Sequence, residues 1–291
     1  MELKLKDIVD KHKNKMCFIA CHGPSLEKYK DAIQGMQASK KALRLSTNNW
    51  FDFFQSKPDY WILSNTEFTI ESRIFQLNRF NVPVFFADSA DLTGFSFIEK
   101  NLKCDYLPYD QRHFKNKTCK EIFLDFKGYH TEYSNFEFKD YGNNDVMWQP
   151  PRCLDGAGFS GILSHGVGRN GRCCKRMRPN RDTIHEFLQQ VSGHEEHCST
   201  GDTVAIEMIS FAIIMGCNPV YVTGMDLDYN LGYANGKSAS ENQLSADDWG
   251  RLNKNLVNDL RILNESAQRR GIKIINLTEN AWYNEFEKGD L

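Results

Sequence analysis

Four short stretches carry residue types that can grip a phosphate, a sugar or a base. The first is Gly23-Pro24-Ser25-Leu26, preceded by His22. A Gly-Pro-Ser turn that opens a helix offers unpaired backbone amides, and those amides attract an anion. Ser25 also reads as an N-cap, so a plain capped strand-to-helix turn accounts for these four residues equally well. The second stretch is polar residues at the ends of two later strands, Ser46-Thr47-Asn48-Asn49 and Ser64-Asn65-Thr66. Asparagine is a turn former, but Asn48 and Asn65 at successive strand ends can read a base or a ribose through paired donors and acceptors. The third is Ser199-Thr200-Gly201-Asp202, ahead of an apolar helix. It is a second helix start able to hold an anion, or simply a cap. The fourth is Gly224-Met225-Asp226-Leu227-Asp228. Two carboxylates two residues apart can hold a hard cation, act as a base or orient a hydroxyl; the plain reading is a polar turn in which Asp226 caps backbone.

Two other groupings attract attention and are set aside. Cys153, Cys173, Cys174, His194, His197 and Cys198 have the chemistry of zinc ligands, but their spacing fits no finger or ribbon. No metal site is assigned. The basic run that includes Arg169, Arg172, Arg176 and Arg181 reads first as a solvated face, although guanidinium groups over a nucleotide would meet phosphate or an acidic sugar.

Such residues need a scaffold that delivers strand ends to one place. Apolar runs bounded by turn residues predict strands over residues 16–21, 42–47, 60–64, 82–87, 220–223 and 273–277. Helical patterns fill the gaps: 26–36, a short turn at 50–55, 69–79, a helix apolar nearly all round at 203–215, and a long one at 246–270 that Gly271 closes. Alternating strand and helix predict an α/β, Rossmann-like fold with a mostly parallel sheet and helices on both faces. Residues 110–198 break the rhythm and read as an inserted, lid-like subdomain. The sheet domain is then 1–109 together with 199–291.

Composition narrows the function classes. The formal net charge is -2 over 291 residues, which gives no bulk electrostatic case for nucleic acid. No apolar run approaches the roughly 18 residues of a membrane span, and the first fifteen residues lack the apolar core of a signal peptide. The nine cysteines show no repeated CxxC spacing, which suits reduced thiols and a cytoplasmic location.

At these residues the chain resembles the bacterial sialyltransferases that modify lipo-oligosaccharides. It also resembles the related group of motility accessory factors and 6-hydroxymethylpterin diphosphokinases. The sialyltransferase pattern is matched by Gly23-Pro24-Ser25 after the first strand, Asn48 and Asn65 after the second and third, Thr200-Gly201 at the buried helix, and Gly224-Met225-Asp226 after the next strand. Lys57-Pro58-Asp59-Tyr60 and Asp226-Leu227 look more like the accessory-factor and diphosphokinase group. The likeness covers about residues 16–88 and 199–277 and leaves out the insertion.

The resemblance implies a glycosyltransferase-like enzyme. Its donor would be a nucleotide-activated sugar, such as a cytidine monophosphate-linked acidic sugar like sialic acid, and its acceptor a hydroxyl of a glycan or glycoconjugate. His22, Gly23, Pro24, Ser25, Asn48, Asn65, Thr200 and Gly201 would then hold the nucleotide, and Asp226 and Asp228 would carry the chemistry. Two departures stand out. His22 occupies a position where those enzymes use asparagine, and no histidine lies between residues 229 and 264, where their base is found. A base would come instead from Asp226, Asp228, Asp247, Asp248, His165 or His185. The alternatives are a magnesium-dependent diphosphokinase, with Asp226 and Asp228 toward the metal, and a non-catalytic nucleotide-binding protein. No other cofactor is expected.

Overall fold

The computed structural model describes residues 1–63, 73–87, 100–109, 184–196, 203–227, 232–236, 246–279 and 281–291, with backbone alone at residues 186 and 246–255. Eight strands are formed among these residues: β1 Met16–Ala20, β2 Ala42–Thr47, β3 Tyr60–Leu63, β4 Val84–Ala87, β5 Tyr106–Tyr109, β6 Val220–Thr223, β7 Ile274–Asn276 and β8 Glu287–Lys288. They make one sheet in the order β5-β4-β3-β2-β1-β6-β7-β8, and every pairing is parallel. The fold is α/β and Rossmann-like, with helices on both faces.

Strands β1 and β3 are apolar along their whole length because both faces are covered, whereas β2 also buries Arg44, Ser46 and Thr47. On one face Cys17, Ile19, Leu43, Leu45, Tyr60 and Ile62 pack with the helices α3 Ile184–Ser192, α4 Val204–Ile214 and α5 Ala246–Arg269. On the other, Phe18, Ala20, Trp61, Leu63 and Phe86 pack with α1 Leu26–Ala38 and α2 Ile74–Phe80. Helix α4 shows why its sequence lacks a polar face: it lies against β1, β2 and β3 and is itself backed by α3 and α5. Its two polar side chains are accommodated inside. Ser210 Oγ donates to the Ile206 carbonyl at 2.8 Å, and the Tyr109 hydroxyl donates to Glu207.

The N-terminal segment is bound to the sheet's β5 edge and to α4. The Leu3 amide donates to the Tyr106 carbonyl at 2.7 Å, which extends the sheet past β5 by one bridge and covers an otherwise open edge. The amides of Asp10, His12 and Asn14 donate to the carbonyls of Ile214, Met215 and Gly216 and close the C-terminus of α4.

Sequence reasoning missed β5 and β8. Tyr106-Leu107-Pro108-Tyr109 contains a proline, which lowers any expectation of a strand, but β5 is the outermost named strand and can tolerate the missing donor. Strand β8 is two residues long, too short for a pattern. Residues 184–192, inside the span read as an insertion, form α3, and its buried Ile184 and Leu188 join the core of the sheet domain. Residues 110–183 of that span lie outside those described.

Candidate functional site at the β1–β6 switch point

The chain runs outward from β1 through β2, β3 and β4 to β5, then returns to the other side of β1 as β6. The carboxyl ends of β1 and β6 therefore lie side by side where the winding direction reverses. Connections depart to opposite sides there, which opens a crevice in sheets of this kind.

The turn after β1 and the turn after β6 are built as one unit. Strand pairing continues beyond Ala20 and Thr223: the Cys21 amide donates to the Thr223 carbonyl at 2.9 Å, and the Gly23 amide to the Gly224 carbonyl at 2.7 Å. Both glycines are required by this approach. A Cβ on Gly23 would stand 2.1 Å from Asp226 Oδ2, and one on Gly224 would stand 2.4 Å from the Cys21 carbonyl oxygen. Gly224 also has φ +69, a left-handed conformation that favours glycine.

Ser25 is the hub. Its amide donates to both oxygens of Asp226, at 3.3 and 3.2 Å, and its hydroxyl donates to Asp226 Oδ2 at 2.9 Å. That hydroxyl accepts from the Gly224 amide at 3.0 Å and lies 3.1 Å from Thr278 Oγ1. The sequence reading of Ser25 as an N-cap is corrected here. Its backbone is already helical, at φ -61 and ψ -16, and its side chain makes no cap bond to α1. The carboxylate of Asp226 takes the amide at the start of α1, where negative charge is favourable. Asp226 thus caps backbone, as the plain reading of its turn held, and ties the end of β6 to the start of α1. With both oxygens turned to Ser25 donors, it is poorly disposed as a cation ligand.

Behind the hub, the Tyr283 hydroxyl donates to the Met225 carbonyl at 3.1 Å and lies 3.3 Å from Asn276 Oδ1, which accepts from the Thr278 amide at 3.0 Å. Burial pushes the Tyr283 hydroxyl pKa well up, with the neighbouring Cys21 and Asp226 adding to it. Burial likewise pushes the Cys21 thiol up to about 12, so it stays a thiol. Thr278, Asn276 and Tyr283 were not foreseen. Polar residues just after β7 were a usable signal for Thr278; nothing local marked Tyr283.

His22 follows β1 on the α1 side, stacked on Phe53 with ring centroids 4.3 Å apart. Its carbonyl accepts from the Ala234 amide at 2.9 Å, while its Nε2 is buried without a hydrogen-bond partner. Burial pushes the imidazole down to about 4, against the Thr47 backbone and Asp52, which act to raise it. The ring is neutral near pH 7, so Nε2 can donate or accept according to its tautomer. At the adjacent end of β2, Ser46 Oγ and Thr47 Oγ1 are also buried without partners, and Asn48 follows, exposed, at φ 43.

The structure brings His22, Gly23, Pro24, Ser25 and Asp226 together at the switch point, with Asn48 one strand away. Asn65, Thr200, Gly201, Asp228 and His165 lie outside the described residues. Asp247 and Asp248 sit in the first turn of α5, where backbone alone is described. His185 is buried at the start of α3. His194 hydrogen-bonds Glu265 at 2.6 Å.

No protein-family model and no curated protein matches the chain. Among solved structures it is similar to the sialyltransferase CstII from Campylobacter jejuni in complex with cytidine-5'-monophosphate. The identity is 14%, the TM-score 0.37, and the match covers 95% of this chain and 85% of that one. A second structure of the same sialyltransferase, in complex with CMP-3FNeuAc, matches at 13% identity and TM-score 0.33, over 94% and 84% of the two chains.

One pH dependence follows from His22. The unfolded imidazole binds a proton near pH 6.5, the folded one only near 4. Between these values the unfolded state binds more protons, so stability is complete above about pH 6.5 and falls as the pH drops toward 4. In urea unfolding at several pH values, His22→Gln should flatten that part of the curve. A variant curve parallel to wild type would show that another group sets it.

Proposed function

We propose that this chain is a glycosyltransferase-like enzyme that binds a nucleotide-activated sugar in the crevice between β1 and β6 and transfers the sugar to a hydroxyl acceptor. The carrying observation is the shared turn at the switch point: Gly23, Ser25, Gly224 and Asp226 lock two strand ends together beside unpartnered polar atoms of His22, Ser46 and Thr47. A rigid floor bordered by buried unsatisfied donors and acceptors suits a polar ligand, because such groups cost about 1–3 kcal/mol each when left unpaired. The order of motifs along the sequence supports a cytidine monophosphate-linked acidic sugar as donor.

In this reading His22, Gly23, Pro24, Ser25, Asn48, Asn65, Thr200 and Gly201 surround the nucleotide. Ser25 and Asp226 act chiefly by fixing the floor, and Asp226 together with Asp228 orients the sugar or the acceptor. The acceptor hydroxyl attacks the anomeric carbon, the bond to the nucleotide phosphate breaks, and the hydroxyl proton passes to a base. Slow transfer to water provides the test. Incubated with a CMP-linked acidic sugar, the protein should release CMP and free sugar well above the uncatalysed rate, and Asn48→Ala should slow that release. Release at the uncatalysed rate, with and without glycan acceptors, would overturn the proposal.

A further inference from the structure

The edge of the sheet opposite the crevice carries a lysine-rich face. The residues leading into every strand are among those described, and lysines outnumber carboxylates there: Lys13 before β1, Lys40 and Lys41 before β2, Lys57 before β3, Lys103 before β5 and Lys273 before β7 are all exposed, against Asp10, Asp59, Asp105 and Glu285. None of these lysines makes an ion pair among the described residues. The acidic groups interspersed with them are already engaged. Asp10 pairs with Arg270, Asp105 with the N-terminal ammonium, and Asp59 accepts from the Arg44 amide and from Gln37. His12 lies within this field: burial, then Lys11 and Lys15, push its imidazole pKa down, and Asp59 opposes.

Helix C-termini also lie at this edge and attract cations, which accounts for some of these lysines. That attraction does not account for all of them. Each helix end carries only about half a negative charge, and the end of α4 is already closed by three backbone amides. The surplus stands out on a chain whose formal net charge is -2.

We propose that this lysine face docks the protein on an anionic phospholipid surface, with the crevice opening away from the bilayer. Strands spaced about 4.8 Å apart spread these lysines over roughly 30 Å from β5 to β7, which suits a broad layer of headgroup charge. A nucleic-acid groove is the poorer fit. Phosphate recognition favours arginine forks and exposed stacking rings. Here Arg269 and Arg270 are turned to the carbonyls of Gly193 and Val191, and Tyr60 is buried. The proposal does not depend on which ligand the crevice takes.

The test is co-sedimentation of the full chain with vesicles of phosphatidylcholine alone or mixed with phosphatidylglycerol, at low and at physiological salt. Binding should require phosphatidylglycerol and weaken with salt. At roughly fivefold per lysine, Lys40→Glu with Lys41→Glu should lower partitioning by at least about 25-fold. Lys288→Glu, on exposed β8, should change it little. Thermal melts of each variant would show that the fold is retained. Equal binding to neutral and anionic vesicles would overturn the proposal, as would an equal loss in Lys288→Glu. Retention on an RNA column with no vesicle binding would overturn it in favour of nucleic acid.

Discussion

Gly224→Ala is expected to destabilise the fold by about 3 kcal/mol or more and to abolish nucleotide binding with it. The new methyl group would force a left-handed residue away from its conformation and meet the Cys21 carbonyl 2.4 Å away, and that carbonyl belongs to the backbone of the neighbouring turn. Gly23→Ala should be nearly as damaging. Its methyl would meet Asp226 Oδ2 at 2.1 Å and the Gly224 carbonyl at 2.7 Å, so the carboxylate and the shared turn could not both stay in place. Gly35→Ala is the control. Gly35 lies within α1, nothing stands within 4 Å of its Cβ position, and the change should add roughly 0.5–1 kcal/mol. Urea unfolding of the three variants checks this. Wild-type stability in Gly224→Ala would mean that the two turns do not form the locked unit described above.

Asp226→Asn is expected to lower donor turnover by about 10²-fold or more while leaving a folded protein. The amide has the same size as the carboxylate, but its nitrogen would face donors at Ser25, and the charge at the start of α1 would be lost. The accompanying stability loss should be about 1–3 kcal/mol. Ser25→Ala removes the hydroxyl at the centre of the same network and should give a smaller loss of the same kind, since the Ser25 amide bonds to Asp226 remain. Asp226→Asn with unchanged turnover, together with loss of activity in His185→Ala, would move the chemistry to the α3 side of the sheet.

The scaffold was legible because its signals are local and repeated. Uniformly apolar runs such as Phe18-Ile19-Ala20 and Tyr60-Trp61-Ile62-Leu63 mark strands covered on both faces, and a helix with no polar side, 204–214, must be buried between layers. The turn residues after β1 and β6 were legible as important for the same reason: glycine beside small polar residues at a strand end marks a tight turn or a close backbone approach. Their joint arrangement was not. Which strands adjoin is a long-range property, so nothing in Gly23-Pro24-Ser25 shows that the amide of Ser25 would be taken by a carboxylate 201 positions later. The same reason hides Tyr283, whose role exists only because β7 pairs with β6. Strand β5 was lost to its proline, a local rule outweighed by an edge position.

The central claim is that a nucleotide binds at the β1–β6 crevice, and thermal melting with CMP, UDP, ATP and GTP, each with and without magnesium, tests it most directly. A ligand that binds only the folded state at about 100 times its dissociation constant stabilises it by about 2.7 kcal/mol. That is roughly 4 °C for a chain of this size. CMP should give such a shift without magnesium, Asn48→Ala should reduce it, and Gly35→Ala should leave it intact. No shift with any nucleotide, or a shift only with magnesium and ATP or GTP, would contradict the account.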